Sequence, residues 1–309
     1  METHSIVSMN KLRSLALVSI CILLLSIVIE RSYHFVTDGF SIHRITHFEP
    51  PPFPFNKVVL WDEESLEEIY KALRQDFYYL NSGSQCFVFT SADNQYVLKF
   101  FKHHRWRFTW LSQALLSPSF CKKLKEKKRL RKYRSYLDTC RSYCLSFEQF
   151  KDKTGLLLVH LATNSRNLPT ITIRDQVYRK YHLSLDKFTF LLQRKATPVD
   201  QYIRECNGDE SKIRSIISKY LTFIEERARL GYLNKDPNFA KNFGVFNDSI
   251  IEIDIGGCFH DPKKDLHYFY SKELTRIEEK LCNLFKKNHS LCIFIREEIE
   301  RRRNYFSES

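Results

Sequence analysis

The chain has 309 residues, enough for one large domain or two small lobes. Hydrophobic residues make up 43%, with 25 Phe and 16 Tyr to fill a core, and the low counts of Gly (8) and Pro (9) exclude collagen-like and largely disordered chains. The formal net charge of +13 favours anionic partners such as phosphates, acidic lipids or nucleic acid.

The first predicted element is an uncharged apolar run from Ser14 to Ile29. As a helix it would be about 24 Å long, slightly short of a hydrocarbon core of ~30 Å. Because no small-residue cleavage site follows it, we predict an uncleaved transmembrane helix in preference to a signal peptide. Lys11 and Arg13 give only a small charge bias across the run. We therefore expect a single-pass membrane protein and leave open the side on which its body lies.

A proline-rich segment, HFEPPPFPFN over residues 47–56, follows the apolar run. Such a composition is typical of a stiff, extended spacer. We therefore predict a tail over residues 1–13, a transmembrane helix over 14–29 and a linker over 30–62.

The body is predicted to begin as an antiparallel sheet. After a helical pattern over residues 63–75, three apolar segments joined by short turns have the composition of strands: Asp76 to Leu80, Cys86 to Thr90 and Tyr96 to Phe101. Further strands are predicted at Gly155 to Ala162, Thr170 to Asp175 and Lys187 to Gln193. The second half has helical spacing over residues 199–206, 211–230, 273–287 and 291–303. We therefore predict an α+β body with a β-rich lobe over residues 63–195 and a short, mainly helical lobe over 196–309.

The positive charge is concentrated in one stretch. From Lys99 to Arg134 there are thirteen Lys and Arg against one acid, Glu126. A run of this kind is commonly a solvated helix face, but its density also fits an anionic lipid or a phosphorylated ligand at residues 122–134. No nucleic-acid-binding motif accompanies it, so nucleic acid is not expected as the partner.

Metal and nucleophile sites of the common kinds are not predicted. The nine cysteines include no C-x-x-C pair, which argues against a zinc site or a disulfide framework. The G-x-S-x-G motif is also absent.

The segment over residues 229–257 combines the groups that phosphoryl transfer needs. Asp236 lies in a loop, Asn242 follows it, and a hairpin then leads to Asp254 at the end of a strand. In phosphoryl transfer one carboxylate orients the acceptor hydroxyl, while an Asn and a second Asp hold Mg²⁺ against the phosphates.

In these residues the sequence resembles the protein-kinase-like superfamily, which includes the aminoglycoside kinases. The resemblance covers roughly residues 78–257. It implies that ATP and Mg²⁺ are the cofactors, that Asp236 is the catalytic base, and that Asn242 and Asp254 are metal ligands. Lys99, in the sequence VLK, corresponds to the strand lysine that contacts the α- and β-phosphates.

The resemblance also implies residues around the nucleotide. The turn from Asn81 to Ser84 corresponds to the glycine-rich loop, so Gly83 and Ser84 are predicted to contact the cofactor. Gln193 falls where the adenine-binding hinge would lie. Glu126 is predicted to pair with the strand lysine, and Glu148 is the alternative.

The sequence departs from the family pattern at several points. Asp236 and Asn242 are six residues apart where the family has five, which makes Asn238 an alternative ligand. Gly83 alone remains of the glycine-rich loop, and no Ala-Pro-Glu signature follows Gly257. We therefore retain a catalytically impaired pseudokinase, acting as a membrane-held binding platform, as the alternative function. A third hypothesis is a membrane-anchored nucleic-acid or lipid binder without kinase ancestry.

Overall fold

The computed structural model describes residues 2–47, 54–55, 57–107, 122–162, 168–234, 238–260 and 266–308. Within them the chain is a mixed α+β protein, as the sequence predicts. A long amino-terminal helix leads into a curled eight-stranded sheet, and the second half is mainly helical.

The first helix, α1 (Glu2–Val36), is longer than the sequence predicts at both ends. It includes residues 2–13 of the predicted tail and residues 30–36 of the predicted linker. Its segment Leu17–Val36 has a mean hydropathy of 1.6 and is long and apolar enough to span a membrane. The apolar side chains of this segment are all exposed. Within the described residues, these side chains are therefore not part of a hydrophobic core.

The residues after α1 pack against the sheet, which differs from the predicted linker. Phe40 and Ile45 are completely buried, and Ile45 belongs to a short helix, α2 (Ile42–Ile45). The Phe40 ring lies edge-on to Phe87 and Phe89, with ring centres 5.3 and 5.2 Å apart. Three of the four prolines of the proposed spacer, at positions 50–52, lie outside the described residues.

The large sheet has the strand order β1-β5-β8-β4-β3-β2-β6-β7. Its neighbours are antiparallel except for β2 and β6, which are parallel. The strands are β1 (Val59–Trp61), β2 (Phe77–Ser82), β3 (Cys86–Ser91), β4 (Tyr96–Phe101), β5 (Leu156–His160), β6 (Thr170–Arg174), β7 (Lys180–Ser184) and β8 (Phe190–Arg194). One face buries α3 (Leu66–Leu73) together with Phe40. The other face packs against α4 (Lys122–Thr154) through Tyr136, Tyr143 and Phe147.

The second half has its own apolar core. Its helices are α5 (Val199–Glu205), α6 (Glu210–Arg229), α7 (Phe239–Asn242), α8 (Leu266–Leu284) and α9 (His289–Glu308). Two small sheets accompany them, formed by β9 (Thr197–Pro198), β11 (Phe243–Phe246) and β12 (Ser249–Glu252), and by β10 (Tyr232–Asn234) and β13 (Cys258–His260). The amphipathic helix α6 supplies Ile217, Tyr220 and Ile224 to this core, which also takes Phe243 and Leu274.

The hairpin of β11 and β12 positions the candidate site. Its turn residues Asn247 and Asp248 both have positive φ, of 46° and 56°. Asn and Asp tolerate this conformation, which two-residue hairpins of the primed type require. The antiparallel register pairs Phe243 with Glu252, so Asn242 and the residues after Glu252 meet at the same end of the hairpin.

Candidate functional site

A cavity of about 310 Å³ separates the large sheet from the β11–β12 hairpin. Its volume is at the lower end of those of small-molecule sites. The apolar part of its wall includes Leu80, Val88, Val97, Leu191, Ala196 and Ile255. Five of the residues predicted to form a site also line it: Gly83, Ser84, Lys99, Gln193 and Asp254. We call it the lobe cavity.

Lys99 lies at the charged end of the lobe cavity. Its strand, β4, is internal to the sheet, where Lys99 pairs with Val88 on one side and Leu191 on the other. The side chain crosses to the hairpin, and Nζ donates a hydrogen bond to the Ile253 carbonyl at 2.5 Å. Burial lowers the pKa of Lys99, and the Asp254 carboxylate opposes that shift. A lysine held in a cleft in this way is unlike a solvated lysine on an edge strand.

Asn242 and Asp254 are held together through their backbones. The amides of Ile253 and Asp254 donate to the Asn242 carbonyl at 2.7 and 3.2 Å. Asp254 is exposed and lines the lobe cavity, whereas Asn242 is buried. Carboxylate and amide oxygens are ligands that suit Mg²⁺. Among the described residues, no three His, Cys, Asp or Glu side chains converge, so an ion here would also need phosphate and water ligands.

The turn between β2 and β3 is fixed by two basic side chains that the sequence does not single out. Lys102 donates from Nζ to the Gly83 carbonyl at 2.5 Å, and Arg105 donates to the Ser84 carbonyl. The Gly83 amide donates to the Cys86 carbonyl at 3.0 Å. These contacts fix the turn at the wall of the lobe cavity.

Gln85, at the end of this turn, closes one side of the lobe cavity. Its Oε1 accepts a hydrogen bond from the Tyr143 hydroxyl at 2.8 Å. The same side chain lies against Gly256, where an added Cβ would overlap it. A side chain at position 256 would therefore displace the Gln85 amide from this wall of the cavity.

Gln193 is completely buried at the wall of the lobe cavity. Its Nε2 donates to the Glu252 carbonyl at 3.2 Å and also to the Thr154 carbonyl. Both partners are acceptors, which assigns the amide orientation. The predicted hinge residue thus joins the large sheet to the β11–β12 hairpin.

Glu126, predicted to pair with Lys99, does not line the lobe cavity. It lies on α4 seventeen residues before Tyr143, about 25 Å along the helix. Tyr143 is the residue of α4 that lines the lobe cavity, and Glu148 lies at two other surface cavities. The structure therefore brings neither predicted glutamate to Lys99, because a different turn of α4 faces the sheet at that point.

Asp236, the predicted catalytic base, lies outside the described residues, as do its two neighbours. The residues that flank this gap have fixed roles. Asn234 donates from Nδ2 to Glu252 Oε1 at 2.5 Å, and Asn238 caps α7 by accepting from the Lys241 amide at 3.3 Å. Asn238, the alternative metal ligand, is therefore engaged as a helix cap.

A buried ion network supports the Asn234 side of the gap. Arg227 is 0% exposed and pairs with Glu252, 3.6 Å from Nη1 to Oε1, and with Glu273. Burial raises the pKa of Glu252 to about 7, although Arg227 and Asn234 favour the charged carboxylate. The sequence gives one signal of this network, since Glu252 is a charged residue within the apolar strand IIEI.

Cations line a second, more open cavity beside the first. Its volume is about 820 Å³, and its walls include Lys123, Lys127, Arg131 and Arg134 of α4. These residues are three or four positions apart, which places them on one helix face. Gln85 borders both cavities, and Gly256 lines the second one. We call this second cavity the basic groove; Glu126 lies in it.

Comparison with known proteins gives weak structural similarity to a kinase. No protein-family model matches the chain, and no curated protein does. The bifunctional kinase-methyltransferase WbdD is similar at a TM-score of 0.34 and 11% identity, over 71% of this chain and 42% of that one. Rv3197 from Mycobacterium tuberculosis, solved in complex with erythromycin, is similar at a TM-score of 0.30 and 14% identity, over 80% and 61%. The chain thus spans less than two thirds of either protein.

Proposed function

We propose that the protein is a membrane-anchored phosphotransferase that moves the γ-phosphate of ATP to a hydroxyl acceptor with the help of Mg²⁺. The observation that carries the proposal is the meeting of Lys99 and Asp254 at one end of an apolar-walled cavity. The apolar walls suit the faces of a flat base, and the charged end suits its phosphates.

In this proposal each group has one task. The acceptor oxygen attacks the γ-phosphorus, the bond from that phosphorus to the β–γ bridging oxygen breaks, and ADP leaves. Asp236 orients the acceptor and receives its proton. Asn242 and Asp254 hold Mg²⁺, which neutralises charge on the phosphates, and Lys99 contacts the α- and β-phosphates. Gly83 and Ser84 cover the phosphates from the turn between β2 and β3.

Changing Asp236 to asparagine tests the catalytic part of the proposal. With water as the acceptor, we expect Mg²⁺-dependent ATP hydrolysis to fall roughly 10²- to 10⁴-fold, because the amide cannot take a proton. The affinity for ATP should stay unchanged, since Asp236 is not assigned to the nucleotide. Hydrolysis is measured by released phosphate and binding by calorimetry. Equal hydrolysis rates in the two proteins would refute the assignment of Asp236.

The alternative function is a pseudokinase that binds nucleotide or a partner without transferring phosphate. Two observations favour it: Glu126 does not reach Lys99, and Lys99 is hydrogen-bonded to a backbone carbonyl. ATP binding by the wild type, with no transfer to water or to the protein itself in either the wild type or the asparagine variant, would decide for it.

We infer that α1 anchors the protein in a membrane as a single-pass helix. Its exposed apolar side chains support this, since a core helix would bury them. The end of α1 also continues into Phe40, which fills the core of the large sheet. Only three residues separate Val36 from Phe40, so α1 joins the body without a long spacer.

We also propose that the basic groove binds a phosphate-bearing anion, either a soluble phosphorylated ligand or an anionic lipid headgroup. Two charge reversals, Lys127→Glu and Arg131→Glu together, should weaken pyrophosphate binding roughly 30-fold, at about 1 kcal/mol for each cation. The matched control is Lys128→Glu with Arg129→Glu, which makes the same charge change on α4 outside the lining of the groove.

Calorimetric titration of the full chain in detergent provides the measurement. Pyrophosphate stands for a soluble ligand, and glycerophosphoserine for the headgroup of an anionic lipid. The probe that binds more tightly identifies the natural ligand of the basic groove as a soluble phosphorylated molecule or as a lipid headgroup. Equal losses in the two double variants would show that net charge, and not the groove, attracts the anion.

A further inference from the structure

The tip of the β6–β7 hairpin, residues 175–179, lies beside the end of α1. Arg179 donates from Nη1 to the Tyr33 hydroxyl at 3.1 Å, and its guanidinium lies 5.5 Å from the centre of the Tyr33 ring. Tyr33 is within about one helical turn of the end of the apolar run, whether that run ends at Ile29 or at Val36. The hairpin tip is therefore fixed at the level where α1 leaves its apolar stretch.

This tip exposes apolar and cationic side chains side by side. Val177 is 42% exposed and Tyr178 is 73% exposed, and Arg179 and Lys180 are exposed next to them. Tyr is enriched at the membrane–water interface, and Lys and Arg reach from apolar surroundings to the headgroups. The composition of the tip therefore matches the layer beside which α1 places it.

The tip is held rigidly by the carboxylate of Asp175, which is buried. Asp175 accepts hydrogen bonds from the amides of Val177 and Arg179, at 3.1 and 2.8 Å, and from the Tyr181 hydroxyl at 3.0 Å. Tyr178 has a φ of +60°, which is uncommon for a bulky side chain. The hydrogen bonds to Asp175 therefore hold the turn in a backbone conformation that bulky residues rarely adopt, and this turn keeps the Tyr178 ring exposed at the tip.

We propose that the β6–β7 tip is a second membrane contact, with Val177 and Tyr178 in the bilayer interface and Arg179 and Lys180 against the lipid phosphates. The proposal rests on the membrane anchor proposed for α1 and is independent of the phosphotransferase proposal. With two fixed points, the sheet is held in one orientation at the membrane surface and does not swing on a spacer.

Tryptophan fluorescence in Tyr178→Trp tests this contact. The full chain is reconstituted in vesicles of phosphatidylcholine and phosphatidylserine, with and without bromine on the acyl chains. The signal of the three native tryptophans, recorded from the wild type, is subtracted. The matched control is Tyr268→Trp, on α8 of the helical half, where the native side chain is 56% exposed. Both substitutions replace exposed rings, so the fold should not change.

We expect the added fluorescence of Tyr178→Trp to be blue-shifted and to be quenched by the brominated lipid. The added fluorescence of Tyr268→Trp should show neither the shift nor the quenching. An unquenched signal from position 178 in protein that resists alkaline extraction would overturn the hairpin contact and leave the anchor intact. Extraction of the wild type by alkali would overturn the anchor, and the hairpin proposal with it.

Discussion

Replacing Arg227 with methionine is expected to lower the free energy of unfolding by about 3–5 kcal/mol, because the change leaves buried carboxylates without their cation. Arg227 is fully buried between Glu252 and Glu273, whose side chains are only 3% and 5% exposed. Burial alone would lower the pKa of Arg227, but Glu273 and Glu252 outweigh it and raise that pKa. The guanidinium is therefore charged and compensates both acids.

Denaturant unfolding of the full chain in detergent measures this effect. The matched control is Arg229→Met, two residues along α6, where the side chain is 35% exposed and pairs with Glu225 at 3.1 Å. Its loss should be at most about 1 kcal/mol, as for other surface ion pairs. Similar losses at the two positions would contradict the buried network.

The effect of Arg227→Met should also depend on pH. The pKa of Glu252 is about 7 in the folded protein, above its ordinary 4.5. An acid whose pKa is raised by folding stabilises the fold below its unfolded pKa, and this contribution is lost as the pH rises through the folded pKa. Without Arg227, the folded pKa values of both acids should rise further. The deficit of the variant should therefore be largest above pH 7 and shrink toward pH 4.5.

Removing either charge at the end of the lobe cavity is expected to weaken ATP binding about 10- to 150-fold, since hydrogen bonds to charged groups contribute ~1.5–3 kcal/mol. The two charges should differ in their dependence on Mg²⁺. Lys99→Met should weaken binding with and without Mg²⁺, because the amine is proposed to contact the phosphates directly. Asp254→Asn should weaken binding in the presence of Mg²⁺ only, because its carboxylate is proposed to act through the ion.

The affinity of each variant for ATP is measured by calorimetric titration, once in the presence of Mg²⁺ and once in the presence of EDTA, and is compared with that of the wild type. Lys195→Met is the control for Lys99, since Lys195 lines the same cavity but bonds to Asn94. Asp248→Asn, in the hairpin turn, is the control for Asp254, because asparagine tolerates the positive φ found there. If the control variants weakened ATP binding as much as Lys99→Met and Asp254→Asn do, the result would contradict a phosphate contact by Lys99 and Mg²⁺ binding by Asp254.

The sequence predicted those parts of the fold that depend on local pattern. The segments CFVFT and YVLKFF have the composition of paired strands, and they form β3 and β4. Asn247 and Asp248 mark the hairpin turn, because few other residues accept its backbone conformation. With the strands and the turn in place, Lys99 and Asp254 come to one cavity. Pattern and motif together thus predict that these two residues lie near each other, and their roles stay predictions.

Other features depend on tertiary contacts that local pattern does not encode. Glu126 is predicted as the partner of Lys99 because it is the one acid in a basic run, but the rotation and position of α4 bring Tyr143 to the sheet instead. The Lys102 and Arg105 contacts with the turn between β2 and β3 join residues about twenty positions apart. Phe40 falls in the predicted linker, and its burial depends on contacts with Phe87 and Phe89, which are more than forty residues away along the chain.

A structure of the protein with Mg²⁺ and a non-hydrolysable ATP analogue tests the central proposal most directly. We predict that the triphosphate lies between the Lys99 amine and the Asp254 carboxylate, with the base between the apolar walls formed by Val97 and Ile255. A lobe cavity that stays empty at a saturating concentration of the analogue, or a nucleotide bound elsewhere on the protein, would contradict it.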